Sequence, residues 1–241
     1  MPRAIFTDIY KDLKHKIETG VYAYQDMLPS ENSLTETYQC SRNTIRRALS
    51  LLTDKGYLQP MHGKGVRIIY QHRDPAEFSI GGIESFRESA ARNKLNVRTQ
   101  ILQFDTLVID EKLSAKTGFA PGSEVWKIIR LRYLDEKPLI LDENYFLQSF
   151  VPDLTPEIAS HSIYDHIENN LHGSIALSKR RMTVEKATAF DETYIELGDY
   201  NCLAVVTSQT FDADGRQVEY TQSRHQPDYF CFYDTAMRSH R

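Results

Sequence analysis

The sequence predicts an α+β fold in two parts, an N-terminal winged helix-turn-helix and a body built on a mostly antiparallel sheet. Three observations carry this. In Ser41-Arg42-Asn43-Thr44-Ile45-Arg46-Arg47-Ala48-Leu49, Ile45, Leu49 and the following Leu52 form one helical stripe, and the polar residues point off it. Two β-like runs, Tyr57–Met61 and Val66–Tyr70, then flank Gly63-Lys64-Gly65, a narrow hairpin tip carrying one cation. Beyond residue 77, short alternating runs separated by turn signals read as strands with interspersed helices.

Ser41 sits at a helix N-cap, where its hydroxyl can accept from an orphan backbone N–H. The helix behind it has a buried rear and an exposed face of forked donors, which suits guanine edges and phosphates. A surface helix with a solvated hairpin is the plainer alternative. Upstream, Ile5, Ile9, Leu13 and Ile17 predict an amphipathic helix ending at Gly20. Ser30 caps a second helix whose first residue, Glu31, favours the positive helix end; Leu34 and Tyr38 give it a core face. Gln39-Cys40 turns the chain into the third helix, with Cys40 read as a small buried residue.

Charge agrees with two parts. Residues 1–72 hold ten Lys/Arg and seven Asp/Glu, a net +3; the chain total of -4 leaves -7 for the remainder. A basic head on an acidic body suits a nucleic-acid reader joined to something else. The three cysteines lack C-x-x-C spacing, so neither a disulfide framework nor a zinc site is expected. The N-terminus does not read as a signal peptide, and no apolar run approaches the ~20 residues of a membrane span. A cytoplasmic chain without a cofactor is expected.

Polar residues 71–77, with Pro75, read as a linker between a DNA-binding domain over 1–70 and a body over 78–241, which the resemblance named below makes an effector-binding and dimerisation domain. In the body, helices are expected over Phe78–Asn93, Asp110–Gly118, Ser162–Leu171 and Asp191–Gly198. Strands are expected over Asn96–Phe104, Val125–Leu134, Leu139–Phe146, Lys179–Ala187, Leu203–Phe211, Gln217–His225 and Tyr229–Thr235. Asp135-Glu136-Lys137-Pro138 and Asp212-Ala213-Asp214-Gly215 read as turns.

The order Leu-Pro-Ser-Glu (28–31), Ser-Arg-x-Thr-Ile-Arg-x-Ala-Leu (41–49), Gly-Tyr-Leu (56–58) and Gly-x-Gly (63–65) resembles the DNA-binding domain of the GntR family of bacterial transcription regulators. The resemblance implies DNA contacts near Ser30 and Glu31, from Arg42, Thr44 and Arg46, and at Gly63 and Gly65; the polar helix face and the cationic hairpin tip add Ser41, Asn43 and Lys64 to the expected DNA-binding set. Two departures matter. Many members carry Arg after Pro-Ser-Glu where this chain has Asn32, so a guanine contact worth ~1–3 kcal/mol is expected to be missing. The wing continues Val66-Arg67-Ile68, and Arg67 is expected to add a phosphate contact. The strand-rich body resembles the HutC subfamily, whose UTRA effector domain has a chorismate-lyase-like fold. Ser85-Phe86-Arg87-Glu88, Leu139–Phe146 and Glu219–His225 look most like its trehalose branch.

Independently of family, Arg130 and Arg132 lie two apart on a strand and so share a side. Their repulsion is relieved by a phosphate, or by acidic surface neighbours. Ser162 and Tyr164 begin a helix, where an anion is favoured, although Ser162 alone is also an ordinary N-cap. The resemblance implies phosphate binding by Ser85, Arg130, Arg132, Ser162 and Tyr164, and sugar hydroxyl binding by Asp142, Glu219 and His225. Alone, His225 reads as a structural histidine; many members have Tyr there. Trehalose 6-phosphate is the expected effector, with an amino-sugar phosphate or urocanate as alternatives. An enzyme is the rival class. His161, His166 and His172 lack metalloprotease spacing, and no nucleophile elbow, P-loop or dinucleotide motif is present, so no catalytic residue is expected. The expected assembly is a homodimer on an inverted-repeat operator, released by the effector.

Overall fold

The computed structural model describes residues 5–71, 83, 85–92 and 95–231, which fall into two compact units, one holding 5–71 and the other 83–231. In the first, α1 (Ile5–Glu18), α2 (Glu31–Tyr38) and α3 (Arg42–Asp54) precede a hairpin of β1 (Leu58–Met61) and β2 (Gly65–Ile68). Ile9, Leu13 and Ile17 of α1 meet Leu34 of α2 and Ile45, Ala48, Leu49 and Leu52 of α3, and Leu58 and Ile68 close the core from the hairpin. Ile5 starts the predicted stripe but is exposed, while the next residue, Phe6, packs against the core. Cys40 is half-buried against this core rather than fully buried. Ser30 and Ser41 cap α2 and α3, each accepting from the backbone N–H three residues on at 3.2 Å. Gln39 takes a left-handed conformation (φ 47°), which reverses the chain between the two helices.

Among the described residues, the body holds one antiparallel sheet of six strands: β3 (Val97–Val108), β4 (Glu124–Leu134), β5 (Lys137–Leu147), β6 (Leu177–Lys186), β7 (Cys202–Phe211) and β8 (Gln217–His225). Their spatial order is β3-β4-β5-β8-β7-β6. On one face, Ile128 of β4 and Phe146 of β5 pack with α6 (Pro156–Ser160), α7 (Ile163–Asp165) and the turn after it through Ala159, Ile163 and Ile167. On the other, α5 (Glu111–Thr117) meets Tyr145 and Tyr220, and α8 (Ala189–Tyr194) packs near Leu131, Leu141, Leu203 and Val205. The helix α4 (Phe86–Arg92) joins Leu134, Leu139 and Ile140 through Phe86.

Several expectations are corrected. The β4–β5 turn is two residues, not four: Asp135 and Glu136 both have positive φ (46° and 66°), and β5 begins at Lys137. The helix expected over Asp191–Gly198 runs Ala189–Tyr194, because Thr188 and Asp191 close a capping box two residues earlier. The segment Ser162–Leu171 is not one α-helix: after Asp165 it widens into a π turn over His166–Asn170. Helix α6 was not anticipated, although Thr155-Pro156 is a cap followed by proline at the first position. The expected terminal strand is absent from residues 229–231; Pro227, capped by Gln226, forms a 3₁₀ turn through Tyr229 instead, and 232–235 lie outside the described residues. So do residues 72–77 of the expected linker and 78–82 of the expected first body helix.

Candidate functional site

Antiparallel register places alternate residues of β4, β5, β8, β7 and β6 on one sheet face. Arg130 pairs with Asp142, Asp142 with Ser223, Asn144 with Thr221, and Ser208 with Arg180. This face, roofed by α4 and the start of α7, forms a cleft of about 210 Å³. All eight body residues singled out in the sequence line it: Ser85, Arg130, Arg132, Asp142, Ser162, Tyr164, Glu219 and His225. They come from strands, helix caps and the helix α7, up to 140 residues apart (85 to 225).

Neither arginine is a surface residue. Arg132 Nε donates to Asp142 Oδ2 at 2.8 Å and its Nη1 to Thr99 at 2.7 Å. Arg130 Nε donates to Asn144 Oδ1 at 2.8 Å, and its Nη1 reaches the Ala159 carbonyl at 3.4 Å. These Arg130 acceptors are neutral groups. Burial, then the adjacent Arg132, pushes the Arg130 guanidinium down to about 9, the mark of a cation lacking a full counter-charge. Burial pushes Asp142 up, but Arg132, Arg130 and the Ser223 hydroxyl outweigh it and hold the carboxyl below its ordinary range.

A second polar chain runs beside the first. Asn144 Nδ2 donates to Thr221 at 2.7 Å, Thr221 donates to Glu219 at 2.6 Å, and the Tyr164 hydroxyl donates to the same carboxylate. Burial, then Glu219, pushes the Tyr164 phenol well up, so it stays a donor. Ser223 lies 2.9 Å from His225 Nε2 and donates to Asp142 at 2.5 Å. Burial pushes His225 down to about 4, so the ring is neutral near pH 7. The three residues do not make a hydrolytic relay, because the carboxylate accepts from the serine instead of orienting the histidine. Ser85 forms a capping box with Glu88 at the start of α4, and Ser162 caps α7. Buried cations, acceptors and hydroxyls in one cleft suit an anionic polyol.

Sequence reasoning missed Asn144, Thr221, Ser223, Ser208 and Arg180 on the same face. The signal was available: Asn144 is two residues from Asp142, and Thr221 and Ser223 fill the alternation between Glu219 and His225.

In the first unit, Arg42, Asn43, Arg46 and Lys64 are exposed, and Gly63 and Gly65 take positive φ (69° and 101°) at the wing tip. Arg46 Nε donates to both oxygens of Glu31, at 3.1 and 2.9 Å. Arg47 lies over the Phe6 ring, 3.9 Å from its centroid. The Ser41 hydroxyl, besides capping, meets Thr44 Oγ1 at 2.9 Å. Among the described residues, no cluster of His, Cys, Asp or Glu could hold a metal ion, and no helix is long and apolar enough to cross a membrane.

Two family models match the chain: bacterial regulatory proteins of the gntR family over residues 6–68, and the UTRA domain over 92–231. The HTH-type transcriptional regulator TreR of Bacillus subtilis is 35% identical over 97% of this chain and 97% of its own. The mannosyl-D-glycerate transport/metabolism system repressor MngR of Escherichia coli is 25% identical over 98% and 97%. Among solved structures, the possible transcriptional regulator YydK of B. subtilis shares the fold (TM-score 0.81, 21% identity, 97% of this chain and 99% of that one). The effector binding domain of the B. subtilis trehalose repressor covers 59% of this chain and 99% of its own, with TM-score 0.53 and 32% identity. A DNA-reading head and a ligand-sized polar cleft are thus matched by regulators along the whole chain: it belongs to the GntR family of bacterial transcription regulators, with a UTRA domain as its body.

Proposed function

We propose that this chain is a cytoplasmic repressor of trehalose uptake and use, released from an inverted-repeat operator by trehalose 6-phosphate. The observation that carries the reading is the buried Arg130/Arg132 pair facing Asp142, Glu219 and hydroxyl groups in one cleft. A phosphate supplies the counter-charge that the neutral partners of Arg130 do not. Carboxylates beside it accept sugar hydroxyls. The similarity to a protein named a trehalose repressor favours that sugar. In this reading Arg42, Arg46 and Lys64 contact DNA, and a homodimer presents two heads to two half-sites. Effector binding selects a dimer arrangement whose heads no longer fit the half-site spacing.

The test is fluorescence anisotropy of a palindromic DNA selected by the protein from a random pool. It is titrated with trehalose 6-phosphate, trehalose and N-acetylglucosamine 6-phosphate. Release by trehalose 6-phosphate alone is the expected result. Release by the amino-sugar phosphate alone would keep the regulator and discard the trehalose reading, and Arg130→Ala with unchanged phosphosugar affinity would discard the phosphate clamp.

A further inference from the structure

The wing of the head holds a cation that the fold leaves unsatisfied. Residues 25–28 add a third strand to the hairpin. Gln25 N–H donates to the Ile68 carbonyl, Ile68 N–H to the Asp26 carbonyl and Leu28 N–H to the Val66 carbonyl, each at 2.9 Å. Strand β2 is therefore central, and Arg67 lies between Gln59 of β1 and Met27 of the added strand. Directly opposed residues share a face. Leu58 and Ile68 turn into the core, so Gln59, Arg67 and Met27 turn away from it, in line with Met61 and Gly65. Met27 is 41% exposed. Its Cε would lie 3.0 Å from a Cβ at Gly65, whose φ of 101° already favours glycine. Arg67 Nε is buried and has no hydrogen-bond partner among the described residues. An unsatisfied buried donor is costly and rare in native chains, which points to an acceptor from outside the chain.

We propose that the outer face of the wing is a site for one backbone phosphate of double-stranded DNA, with Arg67 as its donor. Geometry separates this site from the wing tip. Three strands are roughly 10 Å wide, and the minor groove of B-DNA is about 6 Å wide. The tip, Gly63-Lys64-Gly65, fits such a groove; the three-stranded base does not. Arg67 stands two residues behind Gly65, roughly 7 Å along the strand. With Lys64 in the groove, Arg67 is held at the phosphate rim. Its Nε–H and one terminal N–H make a fork that matches two phosphate oxygens, so the anion supplies the acceptor that Nε lacks. Charge favours this partner: residues 58–68 carry Lys64, Arg67 and His62 and no Asp or Glu. The exposed Met27 side chain offers an apolar surface to the deoxyribose beside that phosphate. A contact of this kind positions the head and carries no sequence information. The site rests on the reading of the head as the DNA-binding surface.

The experiment is fluorescence anisotropy of the full chain with the selected palindrome and with a scrambled duplex, each across a salt series. Arg67→Met keeps the stem and removes the cation. It is expected to weaken both duplexes by a similar factor, about fivefold or more at low salt, and to make the slope of log affinity against log salt shallower by about 0.9 per wing. Arg67→Lys is expected to restore the slope but only part of the affinity, because the charge returns without the fork. Met27→Glu, at an exposed position, sets a carboxylate against the phosphate and is expected to weaken both duplexes by a comparable factor. Unchanged affinity and slope in Arg67→Met, a loss confined to the palindrome, or a loss that keeps the wild-type slope would each overturn the phosphate site while leaving the rest of the head's contacts intact. A wild-type chain that binds neither duplex overturns the DNA-binding reading, and the site with it. Urea unfolding of each variant confirms that the compared chains are folded. Arg67→Met is expected to unfold at the wild-type midpoint or above, since it removes a buried donor that has no partner.

Discussion

Arg130 shows how one residue can serve binding at the expense of the empty protein. Its guanidinium is buried, crowded by Arg132, and bonded to an amide and a carbonyl instead of a carboxylate. Burying a charge without a full counter-charge costs desolvation energy, which an apolar side chain of similar length does not incur. Arg130→Met is therefore expected to leave the urea midpoint of the ligand-free chain in place or raise it. The same variant should lose phosphosugar affinity at least a hundredfold. A fall in stability beyond ~2 kcal/mol would make Arg130 a structural residue. His225 gives a pH dependence of opposite origin. Its folded pKa is depressed from the ordinary 6.5 to about 4 by burial. The unfolded chain therefore takes up a proton first as pH falls. The stabilising effect of the neutral ring is complete above about 6.5 and is lost between about 6.5 and about 4, on the order of 3 kcal/mol. His225→Gln removes that share of the slope. Unfolding curves of the two proteins at pH 7 and pH 5 should differ in their pH sensitivity, with the wild type losing more.

At the scale of elements, an ion pair joins α2 to α3 outside their shared core. Glu31, at the start of α2, accepts twice from Nε of Arg46 on α3. Both bonds come from Nε of Arg46, whose terminal nitrogens carry further donors. In the proposed DNA-bound state Glu31 thus orients Arg46 for its contact. Glu31→Ala should weaken operator binding about tenfold. In a double-mutant cycle, adding it to Arg46→Ala should cost little more. Fully additive losses would show that the two residues reach DNA independently. The caps act within single helices. Ser41→Ala removes an acceptor for the Thr44 N–H and should cost the head about 1 kcal/mol, read by chemical unfolding.

Two units with opposite charge, a basic head and an acidic body, divide the work of the whole molecule. In the proposed mechanism they are coupled by linkage, which has a strict consequence. If effector weakens operator binding by some factor, operator must weaken effector binding by the same factor. Calorimetric titration of trehalose 6-phosphate into free and operator-saturated protein should reproduce the factor found by anisotropy. Unequal factors would exclude a single coupled equilibrium. Operator affinity should also fall steeply with salt, since Lys and Arg contacts release counterions.

Much of this was legible in the chain itself. The three helices of the head follow from Ile9, Leu13, Ile17, Leu34, Ile45, Leu49 and Leu52 at helical spacing, with Ser30 and Ser41 as caps. Strand β8 was predicted at its observed bounds, Gln217–His225, because period-two alternation and a preceding Asp-Gly turn are local signals. Motif resemblance further brought eight body residues to attention before their neighbours were known. Only tertiary structure decided which strands are neighbours. Placing β8 between β5 and β7 sets Asp142 beside Ser223, 81 residues away, and Glu219 within reach of Tyr164, 55 away. It also decided that Arg130 and Arg132 are buried, that Arg132 is paired with Asp142 and Arg130 with neutral groups, and that Arg180 shares their cleft. Helical periods, caps and turns act over a few residues and leave a trace in sequence; strand order and charge pairing are set by long-range register, which no short window contains.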